Sequence, residues 1–212
     1  QSSSAASDVY KRQRYTLTLR QHCPPTPGQA QKEPFVIPVA AALFGQDGSK
    51  LALQSGEFES VLVLSEPEQH YVFENVSQPP VPSLLRGFSA PVKLVDALDN
   101  DSLGTLFRHD DDPFNRWEAG QRLFQQTILD NVSRAQENKA PRYDDSILHL
   151  VGEQINNPGE DRLLAASLLT LPGEKWLGEL SKPVDPHGIT AARLGLQQQI
   201  ASTHYDSIES LY

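Results

Sequence analysis

Six histidines, one cysteine and 27 acidic residues are the groups in this 212-residue chain with the means to do chemistry. Two histidines one helical turn apart, with a glutamate between them as base, would let both imidazoles reach one zinc ion. His22, His70, His109, His149, His187 and His204 include no such pair, and no His-Glu-x-x-His occurs. The nearest spacing, His149-x-x-x-Glu153, offers one imidazole and one carboxylate on one helix face and reads as a surface hydrogen-bonding pair. His109-Asp110-Asp111-Asp112 has the look of a cation cluster, but three successive carboxylates cannot all point at one ion without an enclosing loop. Acidity at a helix start, with Asp112 as the cap, accounts for it better. His22 and Cys23 are adjacent on an expected strand, so their side chains point to opposite faces. No Gly-x-Ser-x-Gly elbow and no glycine-rich phosphate loop is present. Trp117 fits an apolar stripe, and Arg116 is expected to make a structural salt bridge, with Asp110 to Asp112 or near Glu118 as partners. Asn75-Val76-Ser77 and Asn131-Val132-Ser133 match the glycosylation sequon, which without a secretory leader reads as chance. No residue is therefore assigned a catalytic, cofactor-binding or metal-binding role.

The elements that would carry these side chains change character near residue 98. From Arg14 to about Val95 the apolar period is two. Tyr15, Leu17 and Leu19 alternate with Thr16, Thr18 and Arg20; Phe35, Ile37 and Val39 alternate with Val36, Pro38 and Ala40. Val61 to Leu64, Tyr71 to Phe73, Leu84-Arg86-Phe88 and Val92-Leu94 continue the pattern, the mark of half-buried strands. Breaks fall at Pro24 to Gly28, Gln46 to Ser49, Glu66-Pro67 and Gln78 to Pro82. Asp47-Gly48 predicts a hairpin, because both residues tolerate positive φ. Pro38 predicts a sheet edge, where a missing N–H costs nothing. About six or seven short strands predict a small antiparallel β-sandwich at 14–98.

After Asp96 the period becomes helical. Asp101 is expected to cap a short helix through Leu103, Leu106 and Phe107. Asp112-Pro113 supplies a carboxylate cap and a proline at the first helical position, where its missing N–H would have been orphaned anyway. Phe114, Trp117, Phe124, Ile128, Val132 and Ala135 then mark the apolar stripe of a helix of ~25 residues ended by Ala140-Pro141. Further stripes follow at Ile147 to Ile155, at Leu163, Leu164, Ala166, Leu168 and Leu169, and at Trp176, Leu177 and Leu180. Asp185-Pro186 opens the last one, through Ile189, Leu194, Leu196 and Ile200. Short helices joined by tight Pro/Gly turns predict a solenoid-like array at 99–212, of the ARM or HEAT kind.

The net charge of −9 argues against nucleic-acid binding. No apolar run approaches the ~20 residues needed to span a bilayer. A single cysteine cannot form an internal disulfide, which fits the cytoplasm. No basic-then-apolar leader opens the chain. With no methionine anywhere and no helix stop at Tyr212, both ends read as cuts. Residues 1–13 read as an adapter-like scar or disordered tail outside the fold. Missing neighbours are expected to leave an apolar face open near 194–212.

Several segments resemble the bacterial aminopeptidase N family of zinc metallopeptidases. They are Tyr15 to Gln21, Phe35 to Val39, Pro82 to Lys93 (Pro-Ser-Leu-Leu-Arg-Gly-Phe-Ser-Ala-Pro-Val-Lys) and Asp112 to Leu123, with Leu169 to Pro172 and Val184 to Pro186 extending the match. The resemblance implies an immunoglobulin-like β-sandwich followed by the first part of a large helical domain. It also implies a parent that removes N-terminal residues, alanine among them, from peptides. The family's zinc ligands, general base and substrate-binding glutamates belong to a catalytic domain absent from these residues, so zinc is expected in the parent alone. This piece would support the catalytic domain and help enclose the chamber that admits peptide substrates, without activity of its own. The alternative is a stand-alone interaction scaffold of a β-sandwich and helical repeats.

Overall fold

The structure is a computed structural model and describes residues 3–11, 13–29, 32–53 and 56–210. The chain divides into two compact units, Gln1–Asn115 and Arg116–Tyr212.

The first unit is a pair of sheets facing each other across one core. Alternation makes β2 (Arg14–His22) a strand with one buried face, on which Tyr15, Leu17 and Leu19 are fully covered. It pairs antiparallel with β1 (Ser3–Lys11) and with β6 (Glu68–Phe73), and β8 (Lys93–Val95) runs parallel to β1 on the far side. The other sheet is built on β3 (Ile37–Phe44), antiparallel to β4 (Lys50–Leu51), β5 (Glu59–Leu64) and β7 (Val81–Leu84). Tyr15, Leu17, Leu19 and Phe73 from one sheet meet Ile37, Val39, Ala41, Leu43, Leu62 and Leu64 from the other. Each Val, Leu, Ile or Phe among them contributes about 1.5–3 kcal/mol by leaving water.

Of residues 1–13, expected to lie outside the fold, 3–11 are a difference, while 1, 2 and 12 lie outside the described residues. Ser3–Lys11 forms β1, in register with β2 from Ser3↔His22 to Lys11↔Arg14. Ladder pairing uses backbone groups that any segment without proline supplies, so the lack of an apolar period did not prevent it. Gln13, at φ 67°, turns the chain into β2.

Leu84-Arg86-Phe88 is a second difference. β7 stops at Leu84, and Arg86–Phe88 is a 3₁₀ turn, with Leu85, Gly87 and Phe88 all at positive φ (56°, 59° and 55°). Such backbone cannot continue a strand, whatever the alternation of side chains.

β3 is buried on both faces from Val39 to Phe44, so its outward residues Ala40, Ala42 and Phe44 are covered too. The helix α1 (Asn100–His109) packs on β3 and β7. Pro38 keeps its expected freedom. β7 pairs with β3 only from Ala41 onward, and the Ala40 N–H, which points away from β5, goes to Ser89 Oγ at 3.0 Å. Two residues earlier on the same strand edge, the Pro38 nitrogen faces that same open flank, so no ladder bond is lost. The Asp47-Gly48 hairpin forms, with Gly45 N–H donating to the Ser49 carbonyl and Asp47 Oδ1 accepting from Ser49 N–H.

From Arg116 onward the second unit holds the rest of α2 (Pro113–Gln136), then α3 (Asp145–Asn156), α4 (Arg162–Leu168), α5 (Glu174–Leu180), α6 (Pro186–Thr203) and α7 (Tyr205–Glu209). Phe124, Ile128, Val132, Ile147, Val151, Ile155, Leu171, Leu177, Ile189 and Leu196 form its core. The apolar stripes are narrower than the sequence implies: Leu163, Trp176 and Leu194 are exposed, and Ala135 lies outside the buried set. Leu194, half exposed, leaves α6 with apolar surface on its outer side.

Carboxylate caps start α1, α3, α4 and α6, as well as α2. Asp99, rather than the expected Asp101, accepts from Ser102 N–H; Asp144, Asp161 and Asp185 accept from Ser146, Leu163 and Leu164, and Gly188. The side chain of Ser102 holds the Asp99 carboxyl below its usual range, and the Ser146 and Gly188 N–H groups do the same for Asp144 and Asp185. A carboxyl depressed in the folded state adds stability above its unfolded value, about 3.9, and loses it as pH falls through the lower folded value. The urea midpoint should therefore be flat from pH 7 down to about 5 and fall progressively below about pH 4. The gap in midpoint between wild type and Asp144→Ala should narrow below about pH 4, and a gap that stays constant into acid would contradict the cap assignment.

Candidate functional site

A dense polar constellation lies in the first unit and is centred on Arg86. The turn after β7 carries this guanidinium inward, where the residue is 5 % exposed. Nη1 donates to Asp110 Oδ1 at 2.6 Å and to Ser83 Oγ at 3.0 Å, Nη2 to Asp111 Oδ1 at 2.6 Å, and Nε to Glu59 Oε2 at 2.9 Å. Lys50 Nζ donates to the other oxygen of Asp111 at 2.6 Å. Asn115 Nδ2 donates to Ser83 Oγ and to the Leu84 carbonyl. Ser83 Oγ thus accepts from both Arg86 and Asn115.

Local rules explain the neighbouring turn. Asp112 Oδ1 accepts from the N–H groups of Phe114 and Asn115, the cap expected of Asp112-Pro113. Its Oδ2 accepts from Gly87 N–H at 2.8 Å. Asp110 Oδ1 also accepts from Asp112 N–H at 2.9 Å. The three successive aspartates therefore do three different things. One is a buried counter-ion, one bridges Arg86 to Lys50, and one caps α2 while holding the 86–88 turn.

The electrostatics follow from burial and neighbours. Burial pushes the Asp110 carboxyl up, and Ser83, the Asp112 N–H and Arg86 pull it back without cancelling the rise. Asp111 is more open; burial would raise it, but Lys50 and Arg86 together hold it below the usual carboxylate range. Burial alone would lower Arg86, yet Asp111, Asp110 and Glu59 raise it above its ordinary value, so it is always charged. A cation fills the centre of the acidic group, which is why these carboxylates do not present a metal shell. Among the described residues no three His, Cys, Asp or Glu side chains gather as one, and no zinc chemistry is assigned to them.

The other candidates separate. His149 Nε2 and Glu153 Oε1 are 3.4 Å apart on the exposed face of α3, the surface pair expected. Cys23 Sγ lies 3.9 Å from the Pro24 carbonyl oxygen. Asn131 of the second sequon is buried, its amide donating to the Thr127 and Arg142 carbonyls. Arg116 donates to Gln154 Oε1 at 2.8 Å, and Trp117 is half-buried. Sequence reasoning missed a hydroxyl–imidazole–carboxylate chain: Thr18 Oγ1 to His70 Nδ1 at 2.9 Å, and His70 Nε2 to Glu68 Oε1 at 3.3 Å. It stands on the open faces of β2 and β6 and shares Glu68 with Arg20, so it makes a surface hydrogen-bond chain rather than an enclosed reaction site. Sequence reasoning also missed the role of Arg86. The one available signal was an arginine and an acidic run in two separate segments with the same family resemblance.

Comparisons with known proteins agree with this architecture. Residues 5–97 match the model described as "Domain of unknown function (DUF3458) Ig-like fold" and residues 100–212 the one described as "Domain of unknown function (DUF3458_C) ARM repeats". The chain is 39 % identical over 210 residues to aminopeptidase N of Haemophilus influenzae, covering 97 % of this chain and 24 % of that protein. It is 37 % identical over 202 residues to aminopeptidase N of Escherichia coli, covering 94 % and 23 %. The chain thus spans about a quarter of the length of the curated relatives it matches. The crystal structure of Legionella pneumophila aminopeptidase A in complex with aspartic acid superposes with a TM-score of 0.80 at 22 % identity, over 99 % of this chain and 23 % of that one. At that identity the likeness speaks for the fold.

Proposed function

The chain belongs to the DUF3458_C family, with the Ig-like DUF3458 domain ahead of the ARM repeats, and on that premise we propose that it is a non-catalytic quarter of a zinc-dependent aminopeptidase N. The observation that carries this reading is identity of 37–39 % to two aminopeptidases N, extending over 94–97 % of the chain. In this role the sandwich supports the catalytic domain of the same polypeptide. The helices help enclose the chamber into which peptide substrates pass. The hydrolytic zinc is held by residues elsewhere in the parent, and the protein works in the cytoplasm. No helix among the described residues is long and apolar enough to cross a membrane. The clamp on Arg86 suits a supporting part, because a guanidinium held by four bonds from separate segments fixes those segments against one another.

The test has two arms. The parent polypeptide that contains this chain should release alanine from an aminoacyl arylamide and lose that activity when zinc is chelated. The 212-residue chain alone should show neither turnover nor stoichiometric zinc uptake by titration calorimetry. A parent without peptidase activity would favour the stand-alone scaffold, and turnover by the isolated chain would overthrow both readings.

A further inference from the structure

In the second unit, α6 stops at Thr203, and His204, at φ −116° and ψ 25°, bends the chain into α7. α7 has five residues, buries none of them and has no side-chain cap. Ile208 packs on the core but is only partly buried, and Tyr205 is 61 % exposed. A single turn of helix is not stable alone, and a segment with few buried contacts opens more readily than the rest of a fold.

The His204 ring supplies a tie that α7 itself lacks. Its Nε2 lies 2.8 Å from the Leu148 carbonyl oxygen, in the middle of α3. A carbonyl only accepts, so Nε2 carries the hydrogen and donates. The ring rests where α3 has no side chain. A Cβ built on Gly152 would come within 3.1 Å of Cε1, Nδ1 and Nε2. Gly152 stands one turn after Leu148, on the same face of the helix. Glycine inside a helix is unfavourable relative to alanine, and here its bare Cα makes the slot that seats the ring.

We propose that the His204 ring in the Gly152 slot is a latch, and that α7 is a strap that swings open about residue 204 when the ring leaves. α3 and α6 stay folded as it opens. Opening breaks one hydrogen bond and lifts one partly buried isoleucine, a small loss set against the chain freedom regained. The inference concerns the second unit alone and stands apart from the aminopeptidase reading.

Hydrogen exchange followed by mass spectrometry on the 212-residue chain tests it. In wild type the α7 amides should be protected and should open together, more often than those of α2 and α3. Gly152→Ala fills the slot while improving the helix propensity of α3. Exchange in α7 should therefore quicken about two- to tenfold, the range for one lost hydrogen bond, while exchange in α3 holds or slows. His204→Ala should quicken α7 by a similar factor. The double variant should add little to either single change, because an empty slot has no ring to seat. An unprotected α7 in wild type would overturn the latch. So would unchanged α7 exchange in Gly152→Ala, acceleration spread evenly over α3 and α6, or strict additivity in the double variant.

Discussion

Replacing Arg86 with alanine should destabilise the first unit by about 3–5 kcal/mol, the range for stripping one partner from a buried ion pair. Asp110 has a side chain with no exposure, and its counter-ion lies 2.6 Å away. Without the guanidinium that carboxylate is left desolvated, and Ser83, Asp111 and Glu59 lose a shared donor. Comparison with Arg14–Glu74 shows why location decides the size. That pair is 3.3 Å apart, with side chains 59 % and 54 % exposed, and removing it should cost no more than about 1 kcal/mol. Arg86→Lys keeps the charge but not the planar fork, so its loss should fall between the two.

The pH dependence of the Arg86→Ala variant separates a charge effect from a packing effect. Asp110 is already raised by burial, and losing its cation raises it further. A carboxyl raised in the folded state binds a proton more readily there than in the unfolded chain, so the variant recovers stability as pH falls through that raised value. Urea unfolding at pH 7 and pH 5 should show the gap to wild type narrowing in acid. A gap below about 1 kcal/mol at pH 7 would contradict the buried-pair argument. So would a gap that ignores pH.

Much of the fold was legible because it rests on short-range chemistry. Asp112-Pro113 and Asp185-Pro186 each start a helix, since a cap needs only a carboxylate and a few N–H groups nearby in sequence. Tyr15, Leu17 and Leu19 declare one face of β2 because a strand with one dry side must alternate. What escaped the sequence depends on long-range contact or on backbone state. β1 is held by pairing that side chains do not announce. Alternation at Leu84, Arg86 and Phe88 imitates a strand, but three residues at positive φ bend it into a turn. Arg86 and Asp110 are 24 positions apart, and nothing in either segment says that one will bury itself against the other. Leu163 and Trp176 lie in apolar stripes yet stay exposed, because helices as short as α4 and α5 bury only a residue or two each.

His109 shows the same limit, and its role predicts the second large effect. Set before three aspartates it looks like a ligand, but its ring lies over the β3–β4 hairpin. A Cβ built on Gly48 would come within 2.3–2.5 Å of three ring atoms, and Gly48 itself sits at φ +81°. Gly48→Ala therefore meets two independent penalties. The left-handed backbone costs roughly 1–2 kcal/mol for a residue with a Cβ, and forcing the ring aside adds about 1–3 kcal/mol of overpacking. A total of about 2–5 kcal/mol is expected. His109→Ala in the same chain should return the overpacking part and leave the backbone part. Denaturation of both single variants and the double variant gives the coupling directly. A coupling of about 1–3 kcal/mol assigns His109 to packing against the hairpin. Strict additivity would mean that the ring moves aside without cost, and the hairpin would then owe its glycine to backbone geometry alone.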